Sequence, residues 1–132
     1  MDAVKAGLKG RVDLAVGDAH TAPSVGSGAI HVLGTPVMIN LMEAAALDAA
    51  EHLMPRGHQS LGIHVDISHI AATPVGMKVH ATAEITAVEG NRIRFRVEAH
   101  DEVEMIGEGT HERVVVNVAR FDTRVRKKTE SR

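Results

Sequence analysis

The 132-residue sequence contains no cysteine, tryptophan or tyrosine, and Phe95 and Phe121 are its only phenylalanines. The lack of cysteine excludes disulfides, thiolate nucleophiles and cysteine-based zinc sites. The scarcity of large aromatic rings excludes base-stacking surfaces and aromatic cages. The core must therefore be built from aliphatic side chains.

Charge and hydropathy exclude further classes of protein. Fifteen Lys and Arg residues against seventeen Asp and Glu give a net charge of −2, which does not favour a nucleic-acid partner. The longest apolar run, 41–50, is interrupted by Glu43 and Asp48, so no segment predicts a membrane span. The first residues lack the apolar stretch of a signal peptide, and we expect a cytoplasmic protein.

The chain length fits one domain with a long loop near its start and a basic end. Residues 17–34 are rich in Gly, Ser and Ala and predict a loop of a length that often carries function. Seven basic and two acidic residues lie between 113 and 132. We expect a single domain over 1–122 and a basic C-terminal tail over 123–132, solvated or at most attracting the phosphates of a ligand.

One long helix is predicted directly after the loop. Thr35 and Pro36 are typical of an N-cap and a first helical position, and Pro55 follows the last apolar residue, Met54. Apolar residues surround nearly the whole segment, so we expect a buried helix and no second long one.

The rest of the chain predicts antiparallel strands. Alternating apolar and polar residues mark four runs at 59–71, 77–87, 92–105 and 106–121, and a short strand is expected at 11–16. A sheet wrapped around one central helix is an α+β fold of the hotdog architecture. One sheet cannot cover a helix on all sides, so we expect a homodimer that continues the sheet.

The turn between the runs 77–87 and 92–105 sets their register. A three-residue loop centred on Gly90 would pair Val88 with Arg92 and Ile85 with Phe95. We prefer it to a two-residue loop, which would place residues of opposite faces against each other.

Two polar residues lie on faces that are otherwise apolar. Glu43 is in the middle of the predicted helix, where a surface glutamate is the commoner case but a half-buried one can act as base or nucleophile. His69 continues the odd-numbered, inward face of its strand, after Leu61 and Val65. It is either a satisfied core histidine or a partner of Glu43.

Thr35 is most simply a helix N-cap, although the free N–H groups of a helix N-terminus also favour an oxyanion. Thr35 and Glu43 are eight residues apart, roughly 12 Å along a straight helix. A site that uses both would need a bend, a bridging substrate or a second subunit.

Three segments carry a resemblance to a known family. They read VGSG with LGTPVMINLMEAAAL, then LGIHVDISHIAATPVGMKVHATAEI, then GEGTHERVVVNVARF, within residues 10–122. Their order resembles the hotdog-fold acyl-CoA thioesterases of the fluoroacetyl-CoA thioesterase-like subgroup. The resemblance implies a homodimer that hydrolyses acyl-CoA, with no metal and no cofactor other than the CoA of the substrate.

The resemblance also implies the site residues. The catalytic set would be Thr35 of the GTP stretch, Glu43 of the following helix and His69 of HIAATPVG. Gly62 matches a glycine beside the site, and Arg113 of the THER stretch is expected to help at the CoA side.

The resemblance has one departure, and the function keeps alternatives. The subgroup's namesake closes its pocket with bulky aromatic residues ahead of the helix, whereas residues 17–34 contain none, so we expect a different short or medium acyl group. In the leading hypothesis, Glu43 activates water or attacks the thioester carbonyl, His69 orients Glu43 or shuttles a proton to the thiolate, and Thr35 holds the carbonyl oxygen. The alternatives are a non-catalytic acyl-CoA-binding module and a hotdog enoyl-CoA hydratase.

Overall fold

A five-stranded antiparallel sheet carries one long helix on one face in the computed structural model, which describes residues 1–132. The elements are β1 (Lys9–Ala15), α1 (Ala22–Val25), α2 (Thr35–Ala50), β2 (His58–His69), β3 (Lys78–Glu89), β4 (Arg92–His100), β5 (Met105–Asn117) and α3 (Val118–Glu130). The strands lie in the order β1-β3-β4-β5-β2. This confirms the expected α+β hotdog fold. None of the helices combines the length and hydropathy needed to cross a bilayer.

Helix α2 lies over the half of the sheet formed by β1, β3 and β4 and has little contact with β2. It packs closely because small residues line the contact: a Cβ on Gly10 would collide with the backbone of Ala45 and Ala49. Phe95, on β4, is the largest fully buried side chain under the helix. The helix ends at Ala50, earlier than expected, and a 3₁₀ turn over Glu51–Leu53 completes the segment.

The β3–β4 turn differs from the predicted one. The loop has two residues and places Val88 opposite Ile93, with Gly90 in the left-handed region at φ +61°. A β-bulge between Ile85 and Ala87 then absorbs one residue, so that Ile85 faces Phe95 as predicted. The register was therefore correct beyond the bulge and wrong at the turn.

The predicted strand over 92–105 is interrupted at Asp101. Its Oδ1 accepts hydrogen bonds from the N–H groups of Val103 (2.8 Å) and Glu104 (2.9 Å), and its Oδ2 accepts one from Thr73 (2.9 Å). These bonds fix a turn between β4 and β5. Asp101 is thus a turn residue and ends the strand that was predicted to run on to residue 105.

The last strand ends at Asn117 rather than at residue 121, and a second long helix follows. The Asn117 side chain accepts a hydrogen bond from the backbone N–H of Arg120 (3.1 Å) and so caps α3. The predicted boundary between domain and tail, at residue 122, falls inside this helix. Residues 123–132 are exposed, but they are helical as far as Glu130.

Strand β2 lies at the edge of the sheet and carries a β-bulge between Gly62 and His64. The bulge reverses the alternation of faces along the strand. Val65 pairs with the buried His111 on the helix side, whereas Leu61 pairs with Val114 on the other side. The single inward face predicted from Leu61 to His69 is therefore wrong at its start and right from Val65 onward.

Candidate active site

Thr35 and His69 form one side-chain pair at the N-terminus of α2. Gly34 occupies the N-cap position and Thr35 lies in the first turn with no capping hydrogen bond, so the predicted N-cap role of Thr35 is wrong. Its hydroxyl Oγ1 instead lies 2.7 Å from His69 Nδ1, at the end of β2. The hydroxyl and the imidazole thus share one hydrogen bond across the helix–sheet boundary.

This pair opens onto a cleft of about 410 Å³ formed by the long loop and the end of β2. The lining is mostly aliphatic and contains no group that carries a fixed charge; it consists of Ala22, Ser27, Gly28, Ala29, Ile30, Val32, Leu33, Thr35, His69, Ile70, Ala71 and Ala72. The residues predicted to form a functional loop therefore make most of its wall.

His69 is the titratable group of the cleft. Burial lowers the pKa of His69 below its ordinary value, and the backbone of Ala71 raises that pKa by a smaller amount. The ring is therefore neutral at pH 7. Its Nε2 atom is buried and has no hydrogen-bond partner within the protein. A neutral imidazole with one unengaged nitrogen can exchange a proton or hydrogen-bond a polar group in the cleft.

Glu43 does not join this pair within one chain. Its carboxylate Oε2 lies 3.6 Å from Nη1 of Arg113, and its side chain is 40% exposed. The carboxylate lies against Gly62 of β2, which is seven residues and roughly 20 Å along the strand from His69. The structure therefore places the five predicted site residues in two groups: Thr35 with His69, and Glu43 with Gly62 and Arg113.

Arg113 is only 6% exposed and lies behind Glu43, not at an open surface where it could meet CoA phosphates. Its Nε donates to Ser60 Oγ (2.8 Å) and its Nη2 donates to the Ser60 carbonyl (3.1 Å). Glu51 accepts hydrogen bonds from the Ser60 hydroxyl (2.6 Å) and backbone N–H (2.9 Å). Burial lowers the pKa of Arg113, but an arginine keeps its charge, so the guanidinium stays cationic beside Glu43.

His111 completes the support of Arg113. Its Nδ1 donates to the backbone carbonyl of His64 (2.8 Å), since a carbonyl can only accept. Nε2 is then a free acceptor for the N–H of Arg113 Nη1, 3.1 Å away. Burial lowers the pKa of His111, which is 1% exposed, and this keeps the ring neutral. The guanidinium is thus held in one orientation from three sides.

Sequence reasoning missed His111, Ser60 and Glu51. One signal was present: His111 and Arg113 are two residues apart in a strand, so they share a face with the apolar Val115. A polar pair on an inward face indicates a buried network. Ser60 and Glu51 gave no comparable signal, because the bulge in β2 and the short turn after α2 decide where they point.

Comparisons with known proteins agree with this architecture. Residues 16–119 match the family described as fluoroacetyl-CoA-specific thioesterase (FlK). The fluoroacetyl-CoA thioesterase of Streptantibioticus cattleyicolor is 46% identical over 98 residues, which are 74% of this chain and 70% of that protein.

Solved structures give the same result. A mutant of FlK in complex with acetyl-CoA superposes with a TM-score of 0.89 at 36% identity, covering 96% of this chain and 99% of that chain. A Thermus thermophilus protein described as a thioesterase superfamily member has a TM-score of 0.92 at 27% identity, covering 99% and 97%. The chain therefore belongs to the family of fluoroacetyl-CoA-specific thioesterases.

Proposed function

We propose that the protein hydrolyses acyl-CoA thioesters to a free acid and CoA. The observation that carries this proposal is the hydrogen-bonded pair of Thr35 and His69 in an otherwise aliphatic cleft. The name of the 46% identical relative supports the same reaction. Because the lining contains no Phe, Tyr or Trp, we expect a short or medium acyl group other than fluoroacetyl.

The reaction divides among three side chains. Glu43 accepts a proton from a water molecule that adds to the thioester carbonyl carbon, or attacks that carbon itself to form a mixed anhydride that water then hydrolyses. In both routes the carbon–sulfur bond breaks and the products are the free acid and CoA. Thr35 holds the carbonyl oxygen through its hydroxyl. His69, which is neutral, accepts at Nε2 the other proton released by the water and passes it to the leaving thiolate. Arg113 holds the Glu43 carboxylate rather than binding substrate, and Gly62 leaves room for that carboxylate. No metal or organic cofactor takes part.

We further propose that one site draws on two chains of a homodimer. Strand β2 is a free sheet edge, and the face beside it is not covered by α2. Ile63 and Val65 on this strand are 45% and 44% exposed. A second copy that pairs its β2 antiparallel to the first would cover these residues. Such pairing would also bring His69 of one chain closer to Glu43 of the other chain than to its own.

Thiol release from a panel of acyl-CoAs tests the reaction. A thiol reagent detects the CoA product without background, because the protein contains no cysteine. We expect release by the wild type and its loss in Glu43→Gln, with a cooperative thermal melt that shows the variant to be folded and no effect of a chelator on the wild type. Tight acyl-CoA binding without release would instead identify a binding module, and loss of the enoyl absorbance band would identify a hydratase.

A further inference from the structure

The described cleft has no cation for the phosphate groups of CoA. His69 is its one titratable lining residue and is neutral. Arg113, the residue predicted for the CoA side, is buried and engaged by Ser60, His111 and Glu43. A substrate that carries several phosphate charges needs cations elsewhere on the protein.

Helix α3 carries the densest basic cluster of the chain. Five of its residues are basic and two are acidic, and all seven are exposed; the basic ones are Arg120, Arg124, Arg126, Lys127 and Lys128. None of these five forms an ion pair, whereas Arg94 and Arg96 on the sheet are paired with Glu112 and Glu108. The positive charge of α3 is therefore available to an anion.

Two of these arginines line a groove. Arg120 and Arg124 are one helical turn apart and face the same space of about 580 Å³ as His58 and Asn117. Phe121 and Pro55 form part of its apolar wall. Arg126 lies on a different face of the helix, where its Nη2 donates to Thr123 Oγ1 (3.4 Å). Cationic donors can bind the phosphate oxygens of a nucleotide, and the apolar wall beside them can pack against its ring.

Strand β2 runs between this groove and the cleft that contains Thr35 and His69. The His58 end of β2 pairs with Asn117, which caps α3, and the His69 end belongs to the cleft. Within one chain the groove and the cleft therefore lie at opposite ends of the strand. Antiparallel pairing of two β2 strands brings the groove of one chain beside the cleft of the other. The two would be separated by about two strand spacings, roughly 10 Å across the sheet.

We propose that the α3 groove binds the phosphate groups of CoA, through Arg120 and Arg124, while the thioester occupies the cleft of the partner subunit. This rests on the proposed acyl-CoA hydrolysis and on the β2-paired dimer. It assigns the nucleotide end of the substrate to one chain and the thioester end to the other.

The double variant Arg120→Ala/Arg124→Ala tests the proposal. We expect its KM for acyl-CoA to rise about tenfold or more, because two charged hydrogen-bond donors are removed, while kcat stays within about twofold. Hydrolysis of the corresponding acyl-pantetheine, which lacks the nucleotide phosphates, should not change. Arg126→Ala is the matched control on the other face of the helix and should leave KM unchanged. The wild-type KM should also increase with ionic strength, and that of the double variant much less.

Three results would overturn the proposal: an unchanged KM for acyl-CoA in the double variant, an equal loss with acyl-pantetheine, or a loss seen only with an acyl carrier protein. The last would identify a docking surface for an acidic protein. Calorimetry with free CoA and with 3′-dephospho-CoA measures the affinity of the groove for the phosphate groups in the absence of hydrolysis. A wild type that binds CoA through Arg120 and Arg124 but releases no thiol would refute the proposed function and leave the phosphate site standing.

Discussion

Replacing Gly62 with alanine should lower kcat while leaving the free energy of unfolding nearly unchanged. A Cβ at this position would lie 2.9 Å from Glu43 Oε2 and 3.1 Å from His111 Cε1, whereas ordinary contacts are 3.4–4 Å. The carboxylate must therefore move by at least about half an ångström. Since a displacement of about 1 Å at a reacting group can cost about 100-fold in rate, we expect kcat to fall about 10- to 100-fold.

The free energy of unfolding should change little in the same variant, by about 1 kcal/mol or less. Gly62 is not in the left-handed region, so its backbone accepts an alanine. The Glu43 side chain is 40% exposed and can swing away at low cost, and the buried His111 ring must give by only a few tenths of an ångström. Thiol release measures the first effect and urea denaturation the second. Gly17→Ala is the control, because the nearest atom to a Cβ added there would be His20 Nδ1, at an ordinary contact distance of 3.7 Å.

A folded Gly62→Ala protein with wild-type kcat would refute the reasoning. The double variant Gly62→Ala/Glu43→Asp gives a sharper test. If the alanine acts only by displacing the carboxylate, it should cost less in the Glu43→Asp background, where the carboxylate is one methylene shorter. An equal loss in both backgrounds would mean that the alanine acts through His111, the other contact of its Cβ, and Glu43 would no longer explain the effect.

Three further outcomes are expected. Ser60→Ala removes the acceptor of Arg113 Nε, which should lower the free energy of unfolding by about 1–3 kcal/mol in urea; an unchanged midpoint would contradict the buried network. The unfolded chain binds a proton at His111 before the folded chain does, so stability should fall as the pH drops below about 6.5, and His111→Gln should make that slope shallower. Val65→Glu should produce an inactive monomer in analytical ultracentrifugation, whereas Val103→Glu, on the exposed β4–β5 turn, should leave a dimer; a dimeric Val65 variant would exclude pairing through β2.

Local signals were sufficient for the elements that depend on them. The position of α2 followed from Pro36 and the apolar run after it, because these act within a single turn of helix. The pairing of Ile85 with Phe95 followed from matching two apolar faces. One error arose where a single residue changed the count, at the bulge beside Ile85. The turn at Asp101 and the end of β5 depend instead on side-chain hydrogen bonds of Asp101 and Asn117, which the alternation pattern does not show. A bulge adds a residue to one strand only, and the alternation pattern alone cannot locate it.

The bulge in β2 has the largest consequence for the site. Gly62 and His69 are separated by an odd number of positions, so a regular strand would point them to opposite faces of the sheet. The extra residue at Ile63 restores a common face, and both meet α2: Gly62 opposite Glu43, and His69 opposite Thr35. Both groups therefore lie on the helix side of the sheet, yet too far apart to act together within one chain. The same strand is the free edge at which a second copy can pair. Its irregularity and its exposure are the two observations on which the proposed two-chain site rests.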